Sequence, residues 1–291
     1  MDVVLIFNGL GNQMSQYAFY LAKKRYNKNT TCIYYNSIAQ HNGFELDRLF
    51  GIILPQGKRE NQYYIIFKEL IKQSIYIKVI RKLLNLFHII SINSENINYH
   101  FDQRKLIKGK ALLNFYFGGW HSYKYVEIVE KEIKSLFVFN QKLIMHKNIS
   151  LGTKMLCTKS VSVHIRRGDY LKKENRLWGG VADFSYYEKA LALLNTTDEY
   201  QFYFFSDDIE WAKQNFHLKN MIFIDWNTAE LSWQDMYLIS NCRININPNS
   251  TFSWWASWLN CNLNNTIIVP DRFVLNVQSI DFYPVNWNQI G

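Results

Sequence analysis

The chain has 291 residues, 48% of them apolar, enough to bury one large core or two modest ones, and two are expected. Lysine and arginine number 33 against 24 acidic residues, a formal charge of +9, which points to an anionic partner: a nucleotide, a nucleic acid or an anionic lipid. The four cysteines (Cys32, Cys157, Cys242, Cys261) lie far apart with no paired-cysteine motif and no histidine cluster, which argues against a zinc site or a disulfide framework and fits reduced cytosolic thiols.

The opening stretch MDVVLIFNGLGNQ carries an acidic residue where a secretion signal carries basic ones, and a glycine turn soon follows its apolar run. It reads as a buried strand, Val3 to Phe7, in a mature chain beginning at Met1. A turn from Asn8 to Asn12, a helix to about Lys24 and a short strand near Cys32 to Tyr35 follow. Tyr63 to Ile90, YYIIFKELIKQSIYIKVIRKLLNLFHII, comes nearest to the roughly 20 uncharged residues that span a bilayer, but Lys68, Lys72, Lys78, Arg81 and Lys82 interrupt it at helical intervals. Ordinary amphipathic helices covering a sheet are the usual meaning of such a pattern, and a helix resting on an anionic membrane surface is the other. Asn93 to Asn98 reads as loop and Ala111 to Phe117 as a strand running into Gly118 and Gly119. The aperiodic stretch Gln141 to Lys159 is the expected boundary between domains 1–150 and 151–291.

The second half alternates strictly. Strands are expected at Val161–Ile165, Gln201–Phe205, Met221–Ile224, Arg243–Asn247 and Thr266–Val269. Helices are expected at Ser185–Leu194, Ile209–Phe216, Leu231–Ser240 and Phe252–Leu259. That order implies right-handed βαβ crossovers, a parallel sheet and a ligand crevice at the carboxyl ends of its strands. Polar residues cluster just there: HIRRGD after the first strand, SDD after the second, Asp225 after the third and NPNST after the fourth.

Arg166 and Arg167 leave their strand adjacent, so their side chains point to opposite faces, and only one can serve the crevice. Arg166 shares the parity of His164, and a planar guanidinium there suits bidentate holding of a diphosphate; a surface arginine paired with Asp169 is the plainer alternative. Ser250 or Thr251 is a natural cap for the helix FSWWASWL, whose first amides offer an anion site beside Asn249. Trp254, Trp255 and Trp258 read as core packing, with sugar platforms as the alternative. The loop Asn8-Gly9-Leu10-Gly11-Asn12-Gln13 permits close approach to a phosphate, but it lacks the third glycine of a dinucleotide fingerprint. Asp207 and Asp208 suit a helix cap better than a metal site.

FNGLGNQMSQYAF, HIRRGDY, FFSDD, SWQDMYLIS and NSTFSWWASWL stand in the order and spacing of one family. The chain resembles the bacterial alpha-1,2-fucosyltransferases, glycosyltransferase family 11, over the first 20 residues and most of the second half. The resemblance implies a GT-B-like α/β fold: two Rossmann-like domains facing across a cleft, an acceptor-side N-terminal domain and a C-terminal donor domain with a parallel sheet. It implies inverting transfer of L-fucose from GDP-fucose to a galactoside hydroxyl of a surface glycan or oligosaccharide, with no metal or other cofactor. By position, Arg166 would bind the diphosphate, His164 would line the nucleotide site, Asp235 would accept hydrogen bonds from guanine, and Ser250 and Thr251 would hold the β-phosphate. Asn249, Asp208, Gly9, Gly11, Asn12 and Gln13 complete the expected donor site. The family more often begins its first loop with paired glycines, where this chain has Asn8.

Asp169 is the expected base, with Glu174, Asp183 or no base as alternatives. Two other functions stay open: transfer to another linkage, 1,6 or protein O-linked, since HxRR is shared among such enzymes, and a non-catalytic nucleotide- or nucleic-acid-binding module, which the scatter of Arg and Lys disfavours. The expected setting is cytoplasmic, with peripheral contact to the inner membrane face as an open option. Neither the acceptor nor the oligomeric state is legible in the sequence.

Overall fold

The computed structural model describes residues 1–36, 42–194 and 199–291. The chain divides into two compact units, Met1–Val138 and Phe139–Gly291. Each is an α/β unit of the Rossmann kind, built on a parallel sheet.

In the first unit the elements are β1 (Asp2–Ile6), α1 (Leu10–Tyr26), β2 (Thr30–Tyr34), α2 (Leu46–Phe50), α3 (Lys58–Leu70), α4 (Ile75–Leu86), β3 (Ile90–Ser94), β4 (Leu113–Phe117), α5 (Tyr123–Ile128) and α6 (Glu130–Leu136). The sheet order is β2-β1-β4-β3. Strand β1 is buried along its whole length, with Val3 and Leu5 packed against Phe67 and Phe115. The charge at its start is fully met: Lys23 Nζ lies 2.8 Å from Asp2 Oδ2 and also donates to the carbonyls of Lys105 and Ile107. A buried pair is tolerated only when its remaining hydrogen-bonding capacity is filled in this way.

Strand β3 departs from expectation. Asn93 to Asn98 was expected as loop and no strand was expected just before it, yet Ile90–Ser94 pairs with Leu113–Phe117. ISINS is too short and too polar for its alternation to stand out, and it becomes a strand because β4 offers it an edge.

The second unit comprises α7 (His146–Cys157), β5 (Ser160–Ile165), α8 (Arg176–Gly179), α9 (Phe184–Ala192), β6 (Gln201–Ser206), α10 (Ile209–Asn215), β7 (Met221–Ile224), α11 (Trp233–Ser240), β8 (Ile244–Ile246), α12 (Thr251–Trp258), β9 (Thr266–Pro270) and β10 (Asn288–Ile290). The stretch expected as a boundary therefore holds α7, and the division falls at 138/139 rather than 150/151. Asn148 ties α7 into this unit by donating to Asn227 and Gln234.

The sheet order is β10-β9-β8-β5-β6-β7. From β5 the chain moves outward through β6 and β7, then returns to lay β8 on the other flank of β5. The order reverses between β5 and β8, the topological switch point at which open α/β sheets bind ligands. Strand β5 is buried on both faces, as a central parallel strand must be. Its serines are satisfied inside: Ser160 Oγ donates to Met155 O, and Ser162 Oγ accepts from Asn245 Nδ2 at 2.7 Å. Trp254 and Trp255 are buried and stack edge-on at 5.0 Å, with Trp254 Nε1 donating to Phe282 O, so both are core side chains.

Candidate functional site

Strand β5 delivers HIRRGDY to the switch point, and three bonds gather the neighbouring strand ends around it. Tyr187 donates to His164 O at 3.0 Å, fixing the end of the strand. Tyr170 donates to Asn249 O at 2.9 Å, tying this loop to the one after β8. The Arg167 amide donates to Asp207 at 2.8 Å, joining the loop after β6.

The two arginines have different duties. Arg167 lies over the Trp211 ring at 4.1 Å, and its Nε bonds Asp208 at 3.1 Å. Arg166 is held from two sides: Nη2 is 2.8 Å from Asp169 Oδ1 and Nη1 is 3.0 Å from Asp207 Oδ2. A guanidinium has five N–H donors, and these ion pairs engage one on each terminal nitrogen, so about three remain for a ligand. Gly168 permits the clamp, because a Cβ there would stand 2.9 Å from Asp207 Oδ2.

His164 is buried, its Nδ1 has no hydrogen-bond partner among the described residues, and burial pushes its pKa down to about 3. It presents a neutral imidazole 5.7 Å from the ring of Phe252. Ser250 stands at the N-cap of α12, yet its side chain makes no cap bond, so the first amides of α12 are not met by it. Asn249 is buried, with Nδ2 donating to Trp178 O and Phe273 O, while its Oδ1 has no partner among the described residues.

The side-chain charges here do not make a positive pocket: two guanidiniums meet three carboxylates, Asp169, Asp207 and Asp208. Attraction for an anion rests on the free N–H groups of Arg166 and the start of α12, which carries partial positive charge. Asp208 also caps α10 by accepting from the Trp211 amide, so it is already occupied where a nucleotide contact was expected. Asp169, the expected base, is engaged by Arg166. Of the other candidates, Glu174 is exposed and Asp183 caps α9. Among the described residues no group of three or more His, Cys, Asp or Glu is placed to hold a metal ion.

Asp235 sits in the first turn of α11, the helix packed against α12. Burial pushes its carboxyl up to about 7, and Asn227 Nδ2 donates to it at 2.7 Å. Asn227 is held in turn by Asn148. This relay is not legible in the sequence, because its members lie on three separate segments.

In the first unit the strand order reverses between β1 and β4. Asn8 has φ 63°, a left-handed conformation that asparagine tolerates better than most residues, so its replacement of a glycine has a backbone reason. Gly9 caps α1 in extended conformation, Gly11 is buried in its first turn, and Asn12 is half-buried beside it. Gln13 turns inward. It donates to the carbonyls of Asn8 and Gly43 and accepts from the Glu45 amide, so it shapes the loop rather than reaching a ligand. Gln16 joins the two strand ends, accepting from Phe7 and donating to Gly118. Glu95 went unnoticed in the asparagine-rich stretch. It accepts from the amides of Trp120 and His121 at 2.5 and 2.9 Å, and burial pushes its pKa up to about 8.

Fold and site together define a doubly wound α/β protein with an arginine-bearing crevice at its switch point. The profile of Glycosyl transferase family 11 matches residues 3–291, and the chain belongs to that family. It is a glycosyltransferase, which displaces the non-catalytic reading. An Escherichia coli alpha-1,2-colitosyltransferase is 32% identical over 311 aligned positions, 99% of this chain and 98% of that protein. The Escherichia coli O-antigen biosynthesis glycosyltransferase WbnK is 34% identical over 147 residues, 48% of this chain and 49% of its own length. Human galactoside alpha-(1,2)-fucosyltransferase 1 is 32% identical over 103 residues, 34% of this chain and 28% of that protein.

Proposed function

We propose that the chain is an inverting, metal-independent alpha-1,2-fucosyltransferase that moves L-fucose from GDP-fucose to a galactoside hydroxyl of a surface glycan or oligosaccharide. The observation that carries this reading is Arg166, held rigid by two carboxylates beside the start of α12 at the switch point of a parallel sheet. A departing GDP concentrates negative charge on its β-phosphate. Fixed N–H donors aimed where that charge develops favour the transition state over the ground state, the task a metal performs in other enzymes. Ser250, Thr251 and the amides that follow supply the second wall of this anion site.

His164, neutral and buried, adds a polar lining without a competing charge. Asp235, beside Asn227, takes the guanine edge as a carboxylate. Asp169 positions Arg166 and does not collect the acceptor proton. With oxocarbenium character developed at the anomeric carbon, the acceptor hydroxyl loses its proton late, and a strong base in this unit is not required.

A second donor has an observation in its favour: the relative that aligns along nearly its whole length is named for colitose, which is L-fucose without its 3-hydroxyl. The test measures GDP release from GDP-fucose and from GDP-colitose against a panel of galactosides, with the product linkage read by NMR. A higher kcat/KM for GDP-fucose and a 1,2 linkage are expected. Preference for GDP-colitose reassigns the donor, and a 1,6 or protein O-linked product refutes the linkage.

A further inference from the structure

Helix α4 buries none of its residues completely. Its inner side is narrow: Ile77 and Leu84 are half-buried, and Leu84 packs on the first unit's core. Its outer side lacks the polarity of a helix face turned to water. Ile75, Tyr76, Val79, Leu83, Leu86 and, at the C-cap, Phe87 project outward with exposures of 67, 78, 53, 48, 67 and 68%. At about 100° per residue these six fall within a sector of about 120°, turned away from Ile77 and Leu84.

Lys78 and Lys82 border the sector on one side, and no acidic residue occurs between Glu69 and Glu95. The expectation that this helix spends its apolar residues covering the sheet is thus wrong for most of them. Single exposed apolar side chains are unremarkable, but a contiguous stripe marks a surface that something covers.

We propose that α4 docks on an anionic lipid bilayer, lying in the plane of the interface with its stripe among the acyl chains and its lysines among the headgroup phosphates. The charge pattern selects this occupant, since lysines without neighbouring carboxylates match anionic headgroups, and a fluid surface needs no preformed groove to accept a convex helix. The helix lies on the membrane rather than across it: 12 residues reach about 18 Å, against about 30 Å of hydrocarbon. The proposal does not depend on the donor or acceptor assigned above.

The test is sedimentation of the full chain with vesicles of phosphatidylglycerol and phosphatidylethanolamine, against vesicles of phosphatidylcholine alone. Partition onto the anionic vesicles is expected to be about tenfold stronger or more. It should fall about tenfold in Val79→Ser/Leu83→Ser/Leu86→Ser, and the anionic preference should vanish in Lys78→Glu/Lys82→Glu. All five side chains are exposed, so circular dichroism and melting temperature should match the parent in both variants. Equal partition onto both vesicle types, or none, overturns the proposal. So does self-association without vesicles that the apolar triple substitution abolishes, which would assign the stripe to a second copy of the chain.

Discussion

Replacing Arg166 by lysine keeps the positive charge and removes the planar fork. In the parent, the fork spans Asp169 at 2.8 Å and Asp207 at 3.0 Å and still turns its remaining N–H groups outward. A lysine ammonium can meet one carboxylate or the diphosphate, but it cannot hold the same geometry between all three. Losing two charge-assisted hydrogen bonds from that fork to the diphosphate, at about 1.5–3 kcal/mol each, gives about 3–6 kcal/mol. The guanidinium is 32% exposed, and solvent screening reduces this to about 2–4 kcal/mol. At about 1.4 kcal/mol per tenfold, kcat/KM for the nucleotide sugar should fall roughly 30- to 700-fold. Stability should hardly move, because partly exposed ion pairs contribute about 0–1 kcal/mol. Initial rates of GDP release, calorimetric binding of GDP and thermal melts of Arg166→Lys measure all three quantities. Turnover within about threefold of the parent, or a defect confined to the acceptor KM, would refute the assignment.

Gly168→Ala should push Asp207 off both Arg166 and the Arg167 amide, since the added Cβ would sit 2.9 Å from the carboxylate oxygen; a cost of about 1–3 kcal/mol in denaturation and a raised KM for GDP-fucose are expected. Burial raises the Asp235 pKa from 3.8 to about 7, so the folded state holds the proton more tightly, and stability relative to Asp235→Asn should decline as pH rises through that window and level off above it. Affinity for GDP should weaken below about pH 7 in the parent and lose that dependence in Asp235→Asn; flat profiles in both would contradict a guanine-binding carboxylate of raised pKa. Glu95→Gln leaves one acceptor oxygen for two backbone amides, and urea unfolding should register a loss of about 1–3 kcal/mol. Turnover should survive EDTA, because the carboxylates of the SDD run are already committed to arginines and a helix cap; loss restored by magnesium or manganese would overturn this.

The second unit was largely legible because its strands are short apolar runs bounded by polar motifs, and the βαβ order leaves little choice of sheet. Strand parity singled out Arg166 for the crevice, and the structure gives the two arginines different partners, with Arg167 lying on Trp211 and paired with Asp208. The first unit was harder. Strand β3 exists because β4 completes it, and α4 carries a helical pattern whose apolar residues point both ways. Glu95 looked like one polar residue among asparagines until the backbone of Trp120 and His121 folded onto it.

By itself, the sequence determined the periodicities, the turn chemistry and the motif spacing, which are local properties fixed within a few residues by backbone sterics and side-chain polarity. Only the tertiary structure decided that Asp207 joins Asp169 on Arg166, that Asp208 takes Arg167 as well as its cap, and that one face of α4 is left uncovered. The arginine contacts with Asp207 and Asp208 join residues about 40 positions apart, and such contacts exist only after parallel strands have set their ends side by side.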